Sequence, residues 1–231
     1  MKNKVFIIAE AGVNHNGSIK KAIRLIDIAA NAGANAVKFQ ITNAELITKK
    51  AQKADYQKVN SKKKETQYEM IKKLELNWKA VHPILINRCY KKKIIFMTSA
   101  FDIKGLNEIR KLKIKFYKVP SSEINNIPFL QHLGSFNKKT FLSTGISTIP
   151  EIDLAVKTLL NSGLSKNKLM ILHCNSAYPT PYRDANLNVI KILANRYKVP
   201  IGFSDHTLGV EAPIAAVALG AKVIEKHFTI S

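Results

Sequence analysis

The sequence predicts an α/β chain folded as a (β/α)8 TIM barrel. Three observations carry that expectation: eight short apolar runs spread along the chain, longer amphipathic segments between them, and polar residues at the end of each run. Runs of four to eight residues, rich in Val, Ile and Phe and apolar at consecutive positions, are the pattern of strands buried on both faces of a parallel sheet. An open doubly wound sheet would usually carry a glycine-rich phosphate loop after its first strand. Here the first run opens instead into AGVNHNG, which fits neither G-x-G-x-x-G nor a Walker loop.

The elements follow in order. Strand one is VFIIAEAG (5–12). The segment 19–33 then sets Ile19, Ala22, Ile23, Ile26 and Ala30 on one helical stripe and stops at Gly33. Strand two is AVKFQ (36–40). The region 66–93 reads as helical, but Pro83 lies inside it and is expected to kink or split that helix. Strands three to five are IIFMTSA (94–100), FYKVPS (116–121) and TFLSTG (140–145). A helix over 151–163 follows Pro150, which suits a first turn, and ends at Gly163. The pairs close with KLMILHC (168–174), a helix at 186–198, PIGFSD (200–205), a helix at 209–221 and KVIEKHFT (222–229). The whole chain, 1–231, is therefore expected to be a single barrel domain that ends just after strand eight, without the last helix.

Composition narrows the setting. Hydrophobic content of 46% is ordinary for a globular chain, and Cys89 and Cys174 give no disulfide framework. The apolar run near the N-terminus meets Glu10 too early for a signal-peptide core, and no stretch is long enough to span a bilayer. A cytoplasmic protein with no membrane partner is expected. The net charge of +21 raises the question of nucleic acid. The basic residues are nearly all lysines spread along the chain, with Arg24, Arg88, Arg110, Arg183 and Arg196 as the only guanidinium forks. The densest runs, Lys62 to Lys64 and Lys91 to Lys93, are expected in a loop and at a helix end. This distribution argues against a nucleic-acid partner and for a solvated surface or an anionic small substrate.

In such barrels the site forms at the carboxyl ends of the strands. There the chain places Glu10, then Lys38 and Gln40, then Thr98 and Ser99. Lys118, Ser121, Ser122 and Glu123 follow from strand four, and Ser143 and Thr144 from strand five. Strands six to eight add His173, Asn175 and Ser176, then Ser204, Asp205 and His206, then Glu225 and His227. Such a ring of lysines, hydroxyls and histidines suggests a pocket for an anion and a metal. His206 and His227 come from neighbouring strand ends and could share one divalent ion, whose remaining positions would take water and substrate. His15 suits a loop-positioning role, His173 a core position, and His82 and His132 lie on helical segments with no chemistry expected of them. A lysine inside an apolar strand needs a carboxylate or a phosphate beside it. Lys38 could pair with Glu10 and Lys118 with Glu123, or both could hold a doubly anionic substrate.

Seven stretches in this order, IIAEAGVNHNGS, AVKFQ, YKVPSSE, LSTG, LHCNSAYPTPY, GFSDHTLG and VIEKHF, closely resemble the sialic acid synthase family, whose members make N-acetylneuraminic acid or relatives such as legionaminic acid. The resemblance runs from residue 5 to 229. It implies condensation of phosphoenolpyruvate with an N-acylated mannosamine-type sugar, releasing phosphate by C–O cleavage. It assigns a divalent metal to His206 and His227, Mn2+ first, with Mg2+ or Co2+ as alternatives. Lys38, Lys118, Ser99, Ser121, Ser143 and Ser204 match positions that hold phosphate and carboxylate, with Gln40 beside them. Tyr178 and Ser176 would face the reacting substrates, and Glu10 and Glu123 would handle protons or sugar hydroxyls. Ser99-Ala100 departs from a Thr-Pro found in some members, and Ser176 replaces an amide. Members continue with helix eight and a small antifreeze-like domain that reaches across a homodimer, so the resemblance implies a chain cut short at its C-terminus. Two other readings remain: a different phosphoenolpyruvate-using deoxy-sugar-acid synthase, or a non-catalytic barrel serving as a binding or assembly module.

Overall fold

The computed structural model describes residues 5–60 and 64–230, so Lys62 and Lys63 of the first lysine run lie outside the described residues. The strands are β1 (Phe6–Gly12), β2 (Ala36–Gln40), β3 (Ile95–Ser99), β4 (Phe116–Val119), β5 (Lys139–Ser143), β6 (Leu169–Cys174), β7 (Ile201–Asp205) and β8 (Val223–His227). Each falls on one of the eight apolar runs. All paired neighbours are parallel, in the order β3-β2-β1-β8-β7-β6-β5-β4. The two ends of that order, β3 and β4, come side by side and close the barrel by proximity; no ladder joins them among the described residues.

The crossovers are helical, as parallel pairing requires. α1 (Ile19–Asn31) links β1 to β2, starts where the Ser18 hydroxyl accepts from the Lys21 N–H, and turns off through Gly33 at φ +79°. The β2–β3 connection is the long one, carrying α2 (Asp55–Asn60), α3 (Gln67–Leu74) and α4 (Trp78–Lys91). Then come α5 (Ile103–Lys111), α6 (Ile127–Gly134), α7 (Ile149–Asn161), α8 (Val189–Tyr197) and α9 (Glu211–Ala218). α7 begins in a capping box between Thr148 and Glu151 with Pro150 in its first turn. The expected split at Pro83 does not occur. α4 runs through it, because Pro83 sits in the helix's second turn on the exposed face. The carbonyl it leaves unpaired belongs to Lys79, also exposed, so water can take that bond. Cys89 and Cys174 are both free and buried.

Two apolar clusters hold these layers together. The larger lies between sheet and helices and includes Leu25, Ile26, Phe39, Leu85, Leu130 and Phe203. The smaller fills the barrel itself: Ile8, Ala36, Met97, Phe116, Phe141, Leu172 and Val223, one from each of seven strands. Phe6, Phe116 and Phe141 meet there with ring centroids 5.3–6.3 Å apart. The eighth strand, β7, contributes Gly202, where any Cβ would come within 2.6 Å of Leu172 Cδ2 and of the Val223 carbonyl oxygen. The plug is that tightly filled. Among the described residues no helix is long and apolar enough to cross a membrane.

Candidate active site

Side chains of a strand alternate between its faces, so the residue two places beyond each plug residue also points into the barrel. Those residues are Glu10, Lys38, Ser99, Lys118, Ser143, Cys174, Ser204 and Glu225. All eight line one cavity of about 470 Å³ above the plug. An apolar floor and a polar ceiling are thus written into the same strands, one pleat apart.

The charged members form a buried quartet. Lys38 Nζ lies 2.8 Å from Glu10 Oε2 and 3.5 Å from Glu225 Oε1, while Lys118 Nζ donates to Glu225 Oε1 at 2.8 Å. Ser204 Oγ donates to the same Glu225 oxygen at 3.2 Å, and Gln40 Nε2 donates to Glu10 Oε1 at 2.9 Å. The pairing of Lys38 with Glu10 is the one expected. Lys118 does not pair with Glu123; its partner is Glu225, because both point inward whereas Glu123 lies beyond the strand on a 3-10 turn. Glu123 accepts instead from Asn126 Nδ2 at 2.8 Å and from Ser122 Oγ at 3.1 Å, and its side chain is not among those lining the cavity.

The two buried carboxylates differ. Burial alone would raise both, but Lys118 and Lys38 outweigh it at Glu225 and hold that carboxyl at about 2. At Glu10 burial wins over Lys38, the negative Glu225 adds to it, and the pKa rises above the ordinary value. Burial also pulls Lys118 down, whereas at Lys38 the two carboxylates overcome burial and raise it. Glu225 is therefore held as an anion by its two lysines, and Glu10 is the more easily protonated of the two carboxyls.

Hydroxyls complete the ceiling. Ser99 and Ser143 are buried, and neither Oγ has a hydrogen-bond partner among the described residues. A buried hydroxyl without a partner is costly, so these two are open positions for ligand oxygens. Ser121 Oγ accepts from the Gly145 N–H at 3.0 Å. A Cβ at Gly145 would run into Ser176 Oγ and come within 2.8 Å of Ser121 Oγ, so the glycine keeps room for both hydroxyls at the cavity edge.

Two histidines stand at the mouth, with His206 and His227 ring centroids 5.5 Å apart. Tyr178 packs on both, at 4.1 Å and 5.9 Å, and Tyr56 of α2 packs on Tyr178 at 5.0 Å. His206 Nδ1 meets the Asn175 carbonyl at 2.5 Å, so Nδ1 carries the proton and Nε2 keeps its lone pair. Burial lowers His206 to about 4, which leaves it neutral at pH 7. A neutral imidazole oriented by a carbonyl is the donor a divalent ion needs. Two imidazoles fit an open ion site completed by water and substrate oxygens. Among the described residues no three His, Cys, Asp or Glu side chains gather around one point, so a closed structural site is not supported. Of the other histidines, His173 stacks on Phe203 with Nε2 2.7 Å from the Ala185 carbonyl, His82 is buried on α4, His132 lies part-exposed on α6, and His15 is buried in the β1–α1 turn.

The sequence alone ranked Glu225 only among the polar strand-end residues, although it is the hub of the quartet. The missed signal was its spacing. It stands two residues before His227 and so shares that residue's inward face. Tyr56 was missed as well, since nothing in an irregular connection marks which side chain will fold back over the mouth.

This fold and site define a (β/α)8-barrel enzyme with its chemistry at the carboxyl ends of the strands. Comparison with known proteins gives the family. Residues 25–231 match the model of the NeuB family, and the chain belongs to that family. It is 44% identical to the N,N'-diacetyllegionaminic acid synthases of Campylobacter jejuni and Legionella pneumophila, over 98% and 97% of its own length. It spans 68% and 64% of theirs, about two thirds of the curated relatives it matches. Among solved structures it resembles an N-acetylneuraminic acid synthetase from Leptospira borgpetersenii, with a TM-score of 0.86 and 38% identity over 99% of this chain and 74% of that one.

Proposed function

We propose that this chain carries the barrel of a nonulosonic acid synthase, which condenses phosphoenolpyruvate with an N-acylated mannosamine-type sugar and releases phosphate by C–O cleavage. The observation that carries this reading is the contrast between Glu10 and Glu225 within one buried quartet, beneath two imidazoles that burial holds at about 4 and so neutral at pH 7. The names of the relatives support a sialic-type product, and hence an N-acylated sugar as acceptor.

In this reading the phosphate and carboxylate of phosphoenolpyruvate lie on the ceiling. Lys118 and Lys38 supply charge there, and Ser99 and Ser143 donate the hydrogen bonds that nothing else receives. Ser121, Ser176, Ser204 and Gln40 frame the same cavity. The carbon–carbon bond forms when C3 of phosphoenolpyruvate attacks the sugar aldehyde. Glu10, whose burial shifts it toward the protonated form, gives a proton to the aldehyde oxygen as that bond forms. As a carboxylate it then takes a proton from the water that adds at C2, and the C2–O bond breaks to release phosphate. Lys118 and Lys38 keep Glu225 ionised throughout, so the array does not lose its anion when Glu10 cycles. Tyr178 covers the imidazoles and keeps bulk water from the reacting carbonyl. A divalent ion held by His206 and His227, with Mn2+ favoured over Mg2+ and Co2+, would supply Lewis-acid polarisation of that carbonyl. Glu123 has no proton role from its position here. A cytoplasmic setting and a homodimer, in which further segments complete the acceptor site, belong to the same proposal.

The test is turnover with labelled donor. The chain, Mn2+, N-acetylmannosamine and phosphoenolpyruvate carrying 18O in its bridging oxygen should give a nonulosonic acid free of label and phosphate carrying it. Label in the acid would rule out C–O cleavage. A folded chain that binds phosphoenolpyruvate yet never forms product would favour the binding-module reading.

A further inference from the structure

The two imidazoles at the mouth are held differently. His206 is fixed by its own bond to the Asn175 carbonyl. His227 is the last residue of β8, is exposed, and makes no side-chain hydrogen bond among the described residues. Its place therefore depends on how firmly the strand end is held.

That end is tied to the β1 side twice, both times through Phe228. The Phe228 N–H donates to the Glu10 carbonyl at 3.2 Å, continuing the register in which Glu10 pairs with His227. The Phe228 carbonyl accepts from Asn14 Nδ2 at 2.7 Å. Asn14 does not reach out from a loose loop. Its own N–H donates to the Ala11 carbonyl and the Asn16 N–H to the Val13 carbonyl, each at 2.9 Å, so the turn is closed on itself. The next residue, His15, is buried, accepts from the Gly17 N–H at Nδ1 (3.1 Å) and meets Trp78 of α4 edge-on at 5.8 Å. Gly12 shows how closely this turn abuts the imidazole. It adopts φ +52°, and a Cβ there would stand 3.6 Å from His227 Cε1 and 3.4 Å from Glu10 Oε1. A strut thus runs from α4 through His15 and Asn14 to the residue after His227.

We propose that Asn14 is a positioning residue for His227: by holding the Phe228 carbonyl, its carboxamide fixes the strand end that presents the imidazole to the cavity. This rests on the reading of His227 as a member of the site. An amide that served stability alone would leave the imidazole indifferent to its removal, and that difference can be read directly.

The experiment is NMR of the full chain with 13C,15N-labelled histidine, the His227 signal being assigned with His227→Gln. Asn14→Leu keeps the shape and removes the donor. It should broaden or double the His227 ring signals and leave those of His206 in place. The thermal midpoint should move no more than the roughly 2–4 °C that one lost hydrogen bond gives. Asn14→Gln, which retains an N–H donor, should restore a single His227 signal in part. If Asn14→Leu does not fold, Asn14→Ser removes the same reach with a smaller side chain. An unchanged His227 signal overturns the proposal, and so does an equal disturbance of His206, which would mean general loosening. Adding Mn2+ separates this from the ion reading. Paramagnetic broadening of both rings in the wild-type chain supports a shared ion, and Asn14→Leu should then need about tenfold more Mn2+ for the same effect, the scale on which partners of metal ligands act. If Mn2+ broadens neither ring, the ion reading fails while the metal-free spectra still decide the role of Asn14.

Discussion

The floor and the ceiling of the barrel are built by the same eight strands, two residues apart, and they do opposite things. Below are Ile8, Phe116, Phe141 and their neighbours, packed without polar atoms. Above are Glu10, Lys38, Lys118 and Glu225, buried as deeply but charged, with two serine hydroxyls left open. Burial stabilises the first group by removing apolar area from water, about 1.5–3 kcal/mol for each large side chain. The second group is costly to bury and remains because its members neutralise one another. The difference teaches that depth alone does not mark a core. The floor gives the barrel its stability, and the ceiling spends some of that stability on a site.

Substitutions that separate the layers should rank accordingly. Phe141→Ala opens a cavity among three aromatic rings and should cost about 3–5 kcal/mol. For a chain of this size that is roughly a 10 °C fall in thermal midpoint, and differential scanning calorimetry reads it. A fall below about 3 °C would mean that the plug is looser than described.

Glu225→Ala should cost nearly as much, about 3–5 kcal/mol, because it leaves two buried ammonium groups with one carboxylate. The paired change Lys118→Met with Glu225→Leu should recover most of the loss and still abolish product. Recovery separates an electrostatic ceiling from a second packing layer, for which the double change would be no better than the single one. The acid limb carries the same information. Since Lys118 and Lys38 outweigh burial and hold Glu225 at about 2 rather than 4.5, its stabilising share is complete above pH 4.5 and drains as the pH falls toward 2. Denaturant melts over that window should show a flatter slope for the double variant than for the wild-type chain.

Gly145→Ala acts on the ceiling's edge alone. Its new methyl displaces the Ser121 and Ser176 hydroxyls, so phosphoenolpyruvate should bind about tenfold more weakly, or roughly 1.4 kcal/mol, by isothermal titration. Unchanged affinity would remove those two serines from the anion site. The smallest effect lies outside both layers. Arg88 holds Asp27 through two bonds, at 2.7 and 2.6 Å, between α4 and α1, both groups being part-exposed. Arg88→Ala should barely move the thermal midpoint and leave ligand binding unchanged, as the loss of a part-exposed ion pair does.

Much of this was legible in the sequence, and the layers explain which part. Strands buried on both faces declare themselves as apolar runs, so all eight were found. The polar residues that interrupt those runs pointed to the cavity. What escaped was whatever depends on which side chain meets which across the barrel. Lys118 looked toward Glu123, five residues on, while its partner Glu225 waits 107 residues away on the far strand. Sequence distance cannot show that two inward faces oppose each other. Pro83 misled in another way, since its cost depends on whether the freed carbonyl can reach water, and here both Pro83 and Lys79 are exposed. The β2–β3 connection carried no periodic signal strong enough to place Tyr56 over Tyr178. The role of the ceiling as an anion site remains the central claim.

The most direct measurement of that claim is thermal unfolding of the wild-type chain and of Ser143→Ala in Mn2+, with and without millimolar phosphoenolpyruvate. A ligand bound only by the native state at about 100 times its dissociation constant adds about 2.7 kcal/mol. The wild-type midpoint should therefore rise by roughly 5–10 °C, and Ser143→Ala, lacking one of the two open hydroxyls, should rise clearly less. A cooperative wild-type transition that phosphoenolpyruvate does not move would contradict the account, leaving the charged quartet as internal structure and nothing more.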